Sequence, residues 1–175
     1  MSMPRIMRVI FGFVGTAAVS LTAGNAVSQT PIERLRASVE GVYALQEWHK
    51  DGKAFKPSQV DGRFVLMNGT VVTILNDRTE EGNQATVALF GSYVLEELKF
   101  SYRYNSASVF RQTTAGITAS YKEPWEGMRT FAVSPEGDAV RFRSENGQQE
   151  FLFTHDSLRY SENGKILRTW RRIKD

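Results

Sequence analysis

The chain has no cysteine and only two histidines. Without thiols there is no disulfide framework, no thiolate metal ligand, no thiol nucleophile and no lipid-modified N-terminal cysteine. His49 and His155 stand far apart with no HxH or HExxH spacing, so no metal site is expected. GxSxG, a phosphate-binding loop and a dinucleotide fingerprint are equally missing, which withdraws support from nucleophilic hydrolysis, nucleotide use and NAD chemistry. No cofactor is expected. Charge of one sign is also scarce. The formal charge is +3, but Arg5 and Arg8 lie in an opening segment without an acid, and the remainder nearly balances its 19 acids. Phosphate-driven binding needs a concentrated basic surface, so nucleic acid is not an expected partner. The one local excess is Lys165, Arg168, Arg171, Arg172 and Lys174; on a strand these divide between two faces and read as a solvated edge.

Long apolar runs are confined to the N-terminus. Arg5 and Arg8 precede an uncharged stretch from Val9 to Leu21, followed by small and polar residues around Ala23, Gly24, Asn25 and Ala26. That order is the one read in a cleavable export signal, and residues 1–26 are expected to be removed after Ala26 or, nearly as well, after Ser28. A membrane-spanning helix needs roughly 20 mostly apolar residues, more than this run supplies, so no transmembrane span is expected after cleavage. No twin-arginine pair precedes the run, which favours export of an unfolded chain. The expected location is periplasmic or secreted.

What remains suits one domain stabilised by hydrophobic burial. Residues 27–40 are expected to hold a short helix: Thr30 caps, Pro31 opens the first turn, Glu33 reaches back, and Ile32, Leu35 and Val39 fall at helical spacing before a stop at Gly41. From Gly41 to Ile173 the period changes to two. Asn68-Gly69, Asn146-Gly147 and Asn163-Gly164 mark two-residue hairpins, and Pro135-Glu136-Gly137-Asp138 a further turn. Candidate strands are Val42 to His49, Gly62 to Met67, Thr70 to Asn76, Gln84 to Phe90, Val94 to Tyr104, Ser108 to Thr113, Arg129 to Val133, Ala139 to Ser144, Gln149 to Thr154 and Lys165 to Ile173. The segment from Ser92 to Phe100 would also suit two helical turns. The expected class is all-β, an antiparallel meander closing into a barrel, because closure removes edges that a disulfide-free protein would otherwise leave exposed.

Alternation assigns faces. Along Val94 to Tyr104 one face holds Val94, Glu96, Leu98, Phe100, Tyr102 and Tyr104, and this face should point inward. Glu96 would then be a buried acid, fit to accept a hydrogen bond or act as a general base, with Tyr102 or Tyr104 as the acid. Phe131, Phe142, Phe151 and Phe153 lie on inward faces of later strands and would floor a pocket or fill a core. Trp125, between Pro124 and Gly127, sits on a long segment suited to a lid or a plug over a barrel mouth.

Gly41-Val42-Tyr43 opens the first strand, Trp48 and Gly52 follow, Gly62-Arg63 leads into Asn68-Gly69, and Leu167-Arg168-Thr169-Trp170-Arg171-Arg172 closes the chain. This pattern resembles the bacterial lipocalin-like domain over Gly41 to Ile173. The resemblance implies a lipocalin-like barrel in which Tyr43, at the position of the family's first-strand Trp, packs against Arg171 or a neighbouring Arg. It implies no particular ligand. Three functions fit these observations: binding of a small apolar or amphipathic molecule by Glu96, Tyr102, Tyr104, Trp125, Phe131, Phe142, Phe151 and Phe153; cofactor-free isomerase, cyclase or dehydratase chemistry using Glu96, Tyr102 and Tyr104; and a surface interaction within the cell envelope through the basic last strand and Trp125.

Overall fold

The computed structural model describes residues 29–174; the expected export signal lies outside them. Helix α1 (Pro31–Val39) begins with the capping box, Thr30 accepting from the Glu33 amide and Glu33 accepting from the Thr30 amide. It ends one residue earlier than the sequence implied: Glu40 is already extended, so no left-handed glycine cap forms at Gly41.

Twelve strands follow, β1 (Gly41–Lys50), β2 (Lys53–Phe55), β3 (Val60–Met67), β4 (Thr70–Glu80), β5 (Asn83–Leu95), β6 (Lys99–Thr113), β7 (Gly116–Lys122), β8 (Arg129–Glu136), β9 (Ala139–Ser144), β10 (Gln149–Phe153), β11 (Ser157–Glu162) and β12 (Lys165–Arg172). They form an antiparallel meander that closes where β12 pairs with β1. Ten strands make the closed barrel; β2 and β7 pair outside its circuit, as short extensions of β1 and β6. Asn68 and Gly69 have φ of 50° and 78°, and Asn163 and Gly164 51° and 74°, the positive pair a two-residue hairpin requires.

Two departures from the expected strands matter for function. The stretch expected as one strand from Val94 to Tyr104 is two: β5 runs to Leu95, the chain reverses through Glu96 to Leu98, and β6 starts at Lys99 with Leu95 opposite Phe100. No helix forms there. The segment from Ser157 to Glu162, not among the candidate strands, is a barrel strand that places Tyr160 beside the last strand.

Two bulges then set which side chains face inward. In β1 the register shifts between Leu45 and Glu47, so Tyr43 and Leu45 point inward and Trp48 joins them. In the β5–β6 pair the shift falls at Phe90/Gly91, leaving Asn105 unpaired, so Tyr104 and Ala107 are both buried. Gly91 is required at that bulge, since a Cβ on it would stand 1.9 Å from the Arg103 carbonyl oxygen.

The core sits at the helix end of the barrel. Val39, Tyr43, Phe131 and Phe142 are fully buried there, and Phe153 nearly so. Phe142 packs 4.7 Å from Phe100 and 4.9 Å from Phe153, ring centre to ring centre. The helix is fastened across the barrel end by Arg172, which donates to the carbonyls of Ala37, Ser38 and Glu40 and lies with its guanidinium carbon 5.8 Å from the Tyr43 ring. Tyr43 donates its hydroxyl to the Val39 carbonyl at 2.7 Å. The partner of Tyr43 is thus Arg172, one residue beyond Arg171.

Candidate functional site

The opposite end of the barrel is hollow. A cavity of about 330 Å³ lies between Trp48 of β1, Phe64 of β3, Thr73 and Leu75 of β4, Val87 and Leu89 of β5, Tyr102 and Tyr104 of β6, Phe151 of β10, Leu158 and Tyr160 of β11, and Arg168 and Trp170 of β12. Trp125 and Arg129 complete its wall from the segment between β7 and β8 and the start of β8. All three tryptophans of the chain border this space, and among the described residues no acid lines it.

Tyr102, Tyr104, Trp125 and Phe151, named from the sequence, meet here. Trp125 folds over Tyr104 and Tyr102, with ring centres 4.9 and 5.6 Å away, and its amide donates to the Tyr104 carbonyl at 3.2 Å. The Arg129 guanidinium stacks on its outer face, 3.5 Å from the ring centre. The Trp125 ring is therefore held from both sides. Phe131, Phe142 and Phe153 do not border the cavity; they belong to the packed core beneath it.

Glu96, expected to face inward, does not line the cavity. It sits in the reversal between β5 and β6 with 57% of its side chain exposed, 3.6 Å from Lys99. Placing Val94 to Tyr104 on one strand gave Glu96 the parity of Tyr102. The turn breaks that parity: Val94 and Leu98 are exposed with Glu96, and only Phe100, Tyr102 and Tyr104 keep the inward face. A carboxylate in water beside a lysine, at the helix end of the barrel, cannot serve as base for the cavity.

The phenols are held as neutral donors. Burial pushes Tyr104 up to about 12, with its hydrogen bond to Thr73 and the nearby Arg168 and Arg129 opposing. The Tyr104 and Thr73 hydroxyls are 2.6 Å apart, both buried. Burial raises Tyr102 further, reinforced by Tyr104 and opposed by Arg129, and raises Tyr160 as well. None of them is poised to remove a proton near neutrality.

Arg168 is the residue the sequence reading missed. Its guanidinium carbon lies 4.8 Å from the Trp48 ring centre and 5.9 Å from that of Tyr160. Its Nε is buried with no hydrogen-bond partner among the described residues. Burial lowers its pKa, but a guanidinium keeps its proton in proteins, so a positive charge stands inside the barrel. The signal was present: Arg168 is two residues from Trp170 and shares its face, as Arg129 shares that of Phe131. The basic last strand is accordingly no continuous surface patch. Arg168 faces the cavity, Arg172 clasps the helix, and Lys174 pairs with Asp156 at 2.7 Å.

Together these features define a class, a closed antiparallel barrel with a packed end and a hollow end, consistent with a lipocalin-like or calycin fold. No protein-family model, curated protein or solved structure matches this chain. Among the described residues, no helix is long and apolar enough to cross a membrane.

Proposed function

We propose that this protein is an exported, lipocalin-like binding protein that holds a small, largely apolar molecule in the hollow end of its barrel. The observation that carries this reading is the cavity. Its volume falls at the lower end of the range for ligand sites, and its walls are mostly aromatic and aliphatic with a few converging polar groups. Leaving that much space unpacked forfeits on the order of several kcal/mol of contacts, a substantial cost for a domain without disulfides. Enzymatic proton transfer loses its proposed base with Glu96, and the buried phenols favour holding over catalysis. Export is supported by residues 1–26 of the sequence alone.

The test is native mass spectrometry of protein purified from its own source, combined with titration of the mature domain with 1-decanol followed by tryptophan fluorescence. A co-purifying small molecule, an N-terminus at residue 27 or 29, and a saturable fluorescence change are expected. An empty barrel whose tryptophans do not respond would overturn the binding reading.

A further inference from the structure

The polar equipment of the cavity is one-sided. Arg168 and Arg129 can only donate, and Tyr102 and Tyr160 are kept protonated as donors. Tyr104 is already engaged with Thr73. Among the described residues, no carboxylate lines the space. Glu162 is the acid whose charge reaches Arg168; it makes no ion pair with it among the described residues, and instead accepts from Gln149 Nε2 at 3.3 Å. A guanidinium inside an aromatic cavity, with a buried and unmatched N–H, normally demands an anion. The aromatic faces of Trp48 and Tyr160 compensate part of that charge but accept none of its hydrogen bonds.

Resting on the binding reading above, we infer that the ligand is an anionic amphipath, an apolar body carrying a carboxylate-like oxyanion head, and that the head docks on Arg168. The planar fork of an arginine matches the two oxygens of a carboxylate, and the Arg168 side chain lines the cavity. Arg129, exposed at the mouth and stacked on Trp125, adds a second positive charge on the approach route and ties head-group binding to that ring. The apolar body is compact. At roughly 30 Å³ per water-sized group, the space takes about ten such groups. Decanoate is therefore a matched probe, with 1-decanol as its uncharged counterpart.

The experiment titrates the mature domain with decanoate and with 1-decanol, near neutrality, by calorimetry and tryptophan fluorescence, and repeats both with Arg168→Met. Decanoate is expected to bind at least tenfold more tightly than 1-decanol, and Arg168→Met to erase that preference while 1-decanol still binds. In the unmodified protein the preference should also vanish as pH falls through the probe's own carboxyl range, roughly 4 to 5. Equal binding of the two probes, or a preference that survives Arg168→Met, overturns the inference and leaves the binding reading standing. Binding of neither probe overturns the binding reading itself. Should Arg168→Met fail to fold, Arg168→Gln and the pH dependence of the unmodified protein give the same decision.

Discussion

Trp48 and Arg168 are partners twice over: they are cross-strand neighbours in the β1–β12 seam that closes the barrel, and the Arg168 guanidinium lies 4.8 Å from the Trp48 ring. The contact joining first strand to last thus also forms one wall of the cavity. Structure and binding compete for the same side chain, because a buried charge left without an anion weakens the fold that presents it.

That competition is measurable. Arg168→Met, which keeps a long side chain against Trp48 and removes the charge, should stabilise the ligand-free domain by about 1 kcal/mol, or roughly 2–4 °C in melting temperature. A fall in melting temperature of that size would mean that stacking on Trp48 and Tyr160 already compensates the buried guanidinium.

The Thr73–Tyr104 pair bridges β4 and β6 across the cavity at 2.6 Å. Tyr104→Phe leaves the Thr73 hydroxyl buried and unmatched and should cost about 1–2 kcal/mol in chemical denaturation. Adding Thr73→Val should recover most of that loss, since both polar groups are then gone together. A double variant as unstable as the sum of the single changes would show that the bond contributes little.

Alkaline stability follows from the tyrosines. Tyr43 and Tyr104 are each pushed up to about 12 by burial, and Tyr93 and Tyr102 higher, against about 10 in an unfolded chain. Because the folded values lie above the unfolded one, this contribution is complete below about pH 10 and is lost as pH rises through the folded values. Unfolding free energy should be insensitive to these groups up to about pH 9, then fall steeply between about 10 and 12. Their tyrosinate absorbance should appear together with unfolding. Early ionisation of these phenols in a still-folded protein would contradict their burial.

Trp125 is held between Arg129 outside and Tyr104 inside, at 3.5 and 4.9 Å. Trp125→Ala should open the mouth and weaken decanoate about tenfold, chiefly by faster release, as stopped-flow displacement would record. An unchanged dissociation rate would remove Trp125 from the binding cycle. Glu96→Gln serves as the matched control: exposed beside Lys99, it should change neither stability by more than about 0.5 kcal/mol nor either probe's affinity.

The sequence by itself determined what is local. Thr30, Pro31 and Glu33 placed the helix start; Asn68-Gly69 and Asn163-Gly164 placed two hairpins through their positive φ; and alternation turned Tyr102, Tyr104, Phe131, Phe142, Phe151 and Phe153 inward. Each of these depends on neighbours within a few residues. Tertiary structure alone decided the rest. The reversal at Glu96 to Leu98 is selected by the long β5–β6 pairing, and it removed Glu96 from the interior by breaking a parity that looked continuous. Alternation gives a face but not a height along the barrel axis, so it could not tell that Phe142 and Phe153 fall in the packed end while Phe151 borders the cavity. Nor could it bring Arg168 to Trp48, because that meeting exists only once the last strand closes on the first and water is excluded between them.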